Sequence, residues 1–334
     1  MRRLALLFAG LVAMVAAAYA VYWHEIADGL RRNLDPWAEA RRAEGYAIAW
    51  QSAELDGFPF RFRLRFAGAA LRASRPVPYA ASSDEIVLTA QPWNLQRWRL
   101  AAPRGASVEA LPALAGIAVA ELTGTLAQRD GAIAITLSAH EIAGRRSADG
   151  FAAAALEAKI DLPARAPSTD RDTDLALALS LSQVDLPHFP TPLARRFDSI
   201  AIQAALKGAV PPGPLDRALA QWRDAGGTLE VESAHAAAGD MSIDVAGTLA
   251  LDEAMQPVGA FTAIIIGGDR IIDEVVASGA VQSRYAGFAK SVLHAISAPG
   301  ANGADAAHVP LTLQDQRLYI GPAQIAALPR FTWQ

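Results

Sequence analysis

Phe58-Pro59-Phe60-Arg61-Phe62-Arg63-Leu64-Arg65-Phe66 decides how the rest of the chain is read. Its even positions carry rings or leucine, and from Arg61 its odd positions carry arginine. A β-strand sends successive side chains to opposite faces, so this alternation puts the apolar groups on one face and the guanidiniums on the other. Antiparallel sheets can present one dry and one wet face in this way.

Outward from this strand the same period of two returns. Ile133, Ile135 and Leu137 alternate with small or polar residues, as do Leu175, Leu177, Leu179 and Leu181, then Ile200, Ile202 and Leu206, then Met241, Ile243 and Val245. Turn chemistry separates the runs at Arg129-Asp130-Gly131, Ala225-Gly226-Gly227, Gly239-Asp240 and Met255-Gln256-Pro257. The predicted fold is therefore mainly β: an elongated or curved antiparallel meander, groove-like or sandwich-like. Leu122-Thr123-Gly124-Thr125-Leu126 and Val245-Ala246-Gly247-Thr248-Leu249 echo one another, which fits stacked hairpins.

The N-terminus is of another kind. Leu4 to Tyr22 is uncharged and follows Arg2-Arg3. As a helix this run is about 28 Å long, close to the ~30 Å hydrocarbon thickness of a bilayer. The basic start favours a cytoplasmic N-terminus, and Tyr19, Tyr22 and Trp23 suit the opposite interface. Two expectations stand side by side. One is an uncleaved inner-membrane anchor over residues 4–22 with the body in the periplasm. The other is a signal cleaved at Ala20, in the small-x-small run Ala18-Tyr19-Ala20, leaving a soluble periplasmic body. Residues 1–22 form the anchor or signal, 23–44 a helical stem restarted at Asp35-Pro36, and 45–334 the β-rich body, with a possible sub-boundary near 209–214. Within the body, Pro214 to Ala225 reads as a short helix. Asp269 to Ile296 reads as a long amphipathic helix packed on the sheet, weakened at Gly279 and Gly287 and so divisible into two in series.

Composition narrows the chemistry. The chain has 334 residues, a net charge of −4 and no cysteine, so a disulfide and a thiolate metal site are excluded and no basic field invites nucleic acid. Hydrophobic residues reach 52% but aromatics only 7%, and much of the difference is alanine, which adds little burial energy per residue. The six histidines have no metal-site spacing, and no nucleophile elbow, P-loop or dinucleotide fingerprint occurs. Asp170, Asp172 and Asp174 resemble the start of a calcium loop, but the required glycine and distal glutamate are missing, so a solvated turn is expected. These features predict no catalysis, no cofactor and no metal.

What remains is surface. One-sided strands with few covering helices leave apolar area that must be buried by something. The predicted function is an envelope protein holding or passing lipid-like apolar ligands in a β-groove, with Phe58, Phe60, Phe62, Phe66, Tyr285 and Phe288 as lining. Arg61, Arg63 and Arg65 are candidates for an anionic partner, and cross-strand ion pairing is the competing use of such a stripe. Trp93 and Trp98 are expected to cap a core, with lining a groove mouth as the alternative. The alternative function is a non-catalytic interaction module that binds other envelope proteins.

Trp50, the run Gly57-Phe58-Pro59-Phe60-Arg61-Phe62 and the closing Leu318-Tyr319-Ile320-Gly321-Pro322 resemble a bacterial envelope family known as domain of unknown function 2125. The resemblance extends from the N-terminal hydrophobic segment to Leu328 and carries no catalytic residues to transfer. Gly226-Gly227-Thr228-Leu229 and Gly247-Thr248-Leu249 are also similar to strand motifs of the AsmA-like envelope proteins. That likeness implies an elongated β-groove involved in lipid movement, by analogy of fold only.

Overall fold

The computed structural model describes residues 2–73, 78–110, 114–144, 150–186, 195–277, 286–299, 305–320 and 323–333. The chain begins with a single helix, α1 (Arg2–Ala43), 42 residues long with Pro36 inside it. The restart expected at Asp35-Pro36 does not occur. Pro36 removes only the N–H that would have met the carbonyl of Arg32, and the helix runs on past that gap. It ends where Glu44 and Gly45 N–H groups close on the carbonyls of Arg41 and Arg42, with Gly45 at φ 98°. Arg41 and Arg42 occupy the last turn, where the helix dipole favours cations.

Two short strands follow, β1 (Tyr46–Ala49) and β2 (Ser52–Asp56), lying end to end along β3 (Phe62–Ala73). The strand read from Phe58 thus starts four residues later. Gly57 turns the chain at φ 107°, Pro59 has no N–H to give a ladder, and the Arg61 N–H closes the turn on the Gly57 carbonyl at 3.1 Å. Next come β4 (Tyr79–Gln91), then β5 (Asn94–Ala102) and β6 (Ala106–Ala110), which share the next position in the sheet. The meander continues through β7 (Leu114–Arg129), β8 (Ala132–Gly144), β9 (Ala152–Leu162), β10 (Thr173–Asp185) and β11 (Arg196–Lys207). Helix α2 (Leu215–Asp224) precedes β12 (Thr228–Ala238), β13 (Met241–Leu251) and β14 (Pro257–Ile266). Helices α3 (Gly268–Ala277) and α4 (Ala286–Ile296) lead to β15 (Ser297–Pro299), β16 (Asp305–Gln314), β17 (Arg317–Ile320) and β18 (Ala323–Ala327).

Among the described residues every pairing is antiparallel, and the 18 strands belong to one sheet. The segment 209–214 lies between β11 and α2, yet β11 pairs directly with β12 across Leu206 and Leu229. At the expected turn Asp130 and Gly131 both have positive φ, and Asp315 and Gln316, which the sequence patterns did not single out, do so as well. Two-residue turns of this kind match the twist of the strands they join. Helix α2 is held by Trp222, 3% exposed, whose Nε1 donates to the Lys207 carbonyl at 2.7 Å. Only glycine fits at Gly227, because a Cβ there would run into the Trp222 ring.

Among the described residues three separate cores form rather than one. The first packs Trp23 and Ala27 of α1 on Leu55, Phe62, Leu64 and Phe66. The second gathers Ala139, Ile142, Ala153 and Val184 at one end of the middle strands. The third sets Ala263, Ala307 and Val309 under Leu293 of α4. Of the long helix expected over 269–296, the described residues carry the stretches α3 and α4; Gly279 lies outside them, and Gly287 falls within α4. Total accessible surface is 20886 Å² for a 35.2 kDa chain, against about 13,000 Å² for a compact monomer of that mass. A sheet with few layers over it and an apolar helix that is almost bare both contribute to the excess.

Candidate functional site

The register joins the one-sided strands into a continuous row. Leu64 faces Leu88, Leu88 faces Leu100, and Leu100 faces Gly124. Gly124 faces Leu137, Leu137 faces Ala158, Ala158 faces Leu179, and Leu179 faces Ile202. From Ile202 the row passes to Ala234, Val245, Ala263 and Val309. No polar side chain interrupts it. One residue along, the opposite face reads Arg63, Thr89, Arg99, Thr125, Thr136, Lys159, Ala178, Gln203 and Ser233. Alternation within strands, kept in phase by antiparallel pairing, gives the sheet one apolar face and, as far as β12, one largely polar face.

Among the described residues helices cover the two ends of the apolar row. Leu64 lies beneath α1 at 5% exposure and Val309 beside Leu293 of α4 at 2%. Between them Leu137, Leu179 and Ile202 are only half-buried, and Leu126 on the same face is 43% exposed. Among the described residues no helix lies over this middle stretch. A sheet face covered by a second layer would hold such leucines close to fully buried.

The expected lining residues divide. Phe62 and Phe66 are buried at 0% and 9% beneath Trp23 and Ala27, so they are occupied by the chain's own helix and not free to line a groove. Phe58 and Phe60 precede the strand instead of sharing its dry face, and are 51% and 70% exposed. Phe288 belongs to α4 by its backbone, and Tyr285 lies outside the described residues. The expected core position of Trp93 is overturned: it is 63% exposed on the β4–β5 turn. Trp98 is half-buried and its Nε1 donates to the Leu95 carbonyl at 2.9 Å.

The arginine stripe divides as well. Arg63 meets Asp56 at 3.5 Å, and Arg65 meets Glu54, Asp56 and Glu85 at 3.8, 3.7 and 3.3 Å. These two are engaged in cross-strand ion pairs. Arg61 enters no ion pair among the described residues.

Sequence reading missed how α1 meets the sheet. Tyr19 Oη donates to the Pro59 carbonyl at 2.5 Å, Tyr22 Oη to the Pro92 carbonyl at 2.8 Å, and Trp23 Nε1 to the Arg61 carbonyl at 3.2 Å. Trp23 also stacks on Phe62, with ring centroids 5.1 Å apart, and takes Phe58 edge-on at 5.4 Å. Aromatic residues grouped at the end of an apolar run were the available signal, but their partners lie 38 to 70 residues away.

Of the Asp170-Asp172-Asp174 run, Asp172 serves its own loop. Its Oδ2 accepts from the Ser168 hydroxyl and from the Ser168 and Thr169 N–H groups, all at 2.9 Å, and these bonds, the Ser168 hydroxyl foremost, hold its pKa below the usual carboxylate value. Asp174 accepts from the Val210 N–H at 3.3 Å. His235 meets Asp244 across β12 and β13 at 2.7 Å. Among the described residues no three His, Asp or Glu side chains gather closely enough to hold a metal.

The first half of α1 is long and apolar enough to cross a membrane, and 6% of its most apolar window is buried. No curated protein and no solved structure matches the chain, so the likeness to AsmA-like proteins rests on its strand motifs alone. Residues 23–329 match the family described as an uncharacterised protein conserved in bacteria, DUF2125, from the end of the apolar helical run to the last strands. The chain belongs to that family.

Proposed function

We propose that this is a membrane-anchored protein of the cell envelope whose sheet holds or passes lipid-like apolar ligands along its uncovered face, without catalysis. The observation that carries this reading is the unbroken apolar row from Leu64 to Val309, covered at both ends and open between them. Each methylene of an acyl chain taken from water onto such a surface gains up to about 0.8 kcal/mol. In this reading residues 4–22 sit in the inner membrane and the body stands in the periplasm. Cleavage at Ala20 would remove Tyr19 and its bond to Pro59, which favours retention.

A lipid-reactive diazirine amino acid placed in the full chain at Leu137 or Leu179, and in parallel at Thr136 or Ser180 on the polar face, tests the proposal in native membranes. Lipid adducts from the first pair alone support it. Adducts from neither pair, or equally from both, overturn it. The second reading, an interaction module, has one observation in its favour: the outer edges of β1, β2 and β18 have no strand partner among the described residues. Protein adducts in place of lipid would move the reading there.

A further inference from the structure

Where α1 meets the sheet, a second feature has no structural use. Phe60, Arg61, Gln91, Asn94, Arg97 and Arg99 line a surface pocket of about 340 Å³. Three arginines, Arg61, Arg97 and Arg99, are among its lining. Arg63 and Arg65, one step along the same sheet face, are paired with carboxylates, but among the described residues none of the ion pairs involves Arg61, Arg97 or Arg99. Like charges held together without a counter-charge are unfavourable, and a guanidinium fork matches the geometry of a phosphate. Asn94 and Gln91 add amide donors to the same rim.

The setting identifies the phosphate. The pocket lies beside the loops that Tyr19, Tyr22 and Trp23 tie to α1, through Pro59, Pro92 and Arg61. Along α1, large side chains other than the half-buried Tyr19 are exposed up to Tyr22, at 44%, and full burial begins with Trp23, at 4%. That switch sets the level at which lipid gives way to protein. Phe58, Phe60 and Trp93 are exposed at this level, as aromatic residues of a membrane interface are. Arginines at that depth face headgroups.

We infer that Arg61, Arg97 and Arg99 form a binding site for the phosphate of an anionic phospholipid in the leaflet where α1 emerges, with Phe60 and Trp93 set against its acyl region. The site needs only that α1 lie in a bilayer; it is independent of the apolar row and of whether that row holds a ligand.

The test uses the full chain in a neutral detergent, titrated with phosphatidylglycerol or phosphatidylcholine and followed by native mass spectrometry. Each interfacial arginine contributes about fivefold to binding of anionic lipid, so the triple variant Arg61→Gln, Arg97→Gln, Arg99→Gln should bind phosphatidylglycerol on the order of a hundredfold more weakly. Phosphatidylcholine should bind weakly and equally in both proteins. The single variant Arg97→Glu, at an exposed position, should lose most of the preference if the triple variant does not fold. Equal affinity for the two lipids in the wild-type chain, or unchanged phosphatidylglycerol binding in the variants, overturns the inference. Displacement of phosphatidylglycerol by millimolar inorganic phosphate would also overturn the lipid assignment and make the site one for a free anion.

Discussion

Replacing Trp23 with alanine tests the docking of α1 on the sheet. Trp23 is 4% exposed, stacks on Phe62, takes Phe58 edge-on and gives its indole N–H to the Arg61 carbonyl. Removing a buried Trp costs about 3–5 kcal/mol in transfer and cavity terms, and the lost hydrogen bond about 1 kcal/mol more. Because the chain has three separate cores, the loss falls on the first and leaves the others. Hydrogen exchange on the full chain in detergent reads this by segment. Amides of Phe62–Ala73 should lose protection by a factor of about a thousand to ten thousand, while those of Met241–Leu251 stay as they were. Trp23→Phe keeps a ring but no donor and should fall between. Protection of Phe62–Ala73 within about tenfold of wild type, at ~1.4 kcal/mol per decade, would refute the claim that this helix holds the first strands.

Three further outcomes follow from named contacts. Asp172 is fully exposed with a lowered pKa, so its carboxylate contacts are present above the ordinary carboxylate pKa and are lost as pH falls through the folded value; an NMR titration should show this, and Asp172→Asn should remove the low-pH change in the Ser168 and Thr169 amides. Gly247→Ala places a Cβ against the backbone of Ala260 and Phe261, and urea unfolding should give a loss of about 1–3 kcal/mol. Leu179→Asp, on the open part of the apolar face, should cost about 1 kcal/mol or less, whereas Val309→Asp at 2% exposure should cost ~4 kcal/mol or more; equal costs would mean that Leu179 is covered.

Much of the fold was legible because alternation is a local signal. The runs at Ile133 to Leu137 and Leu175 to Leu181 announce strands, and Asp130-Gly131 announces its hairpin, without any knowledge of partners. The limits appear where a local rule met a tertiary one. Pro36 signals a helix boundary, yet the helix passes through it. Phe58 and Phe60 keep the strand's period, but Pro59 and Gly57 hold them in a turn before the ladder begins. The division of the arginines was out of reach for the same reason. Arg63 and Arg65 meet acids from β2 and β4, while Arg61 shares a pocket with Arg97 and Arg99 from β5, and only the register shows which strand lies beside which. The alternation Arg97-Trp98-Arg99-Leu100 did carry a trace of it, since it sends both arginines to one face. The unbroken apolar row is a property of many registers in phase, so no single strand announces it.

The most direct measurement of the central claim is native mass spectrometry with lipid extraction on the full chain taken from its own membranes. Wild type should carry lipid at a defined ratio, and the double variant Leu137→Asp, Leu179→Asp should lose most of it while keeping the wild-type circular dichroism spectrum. A lipid-free wild-type protein, or the same lipid content in both proteins, would contradict the account.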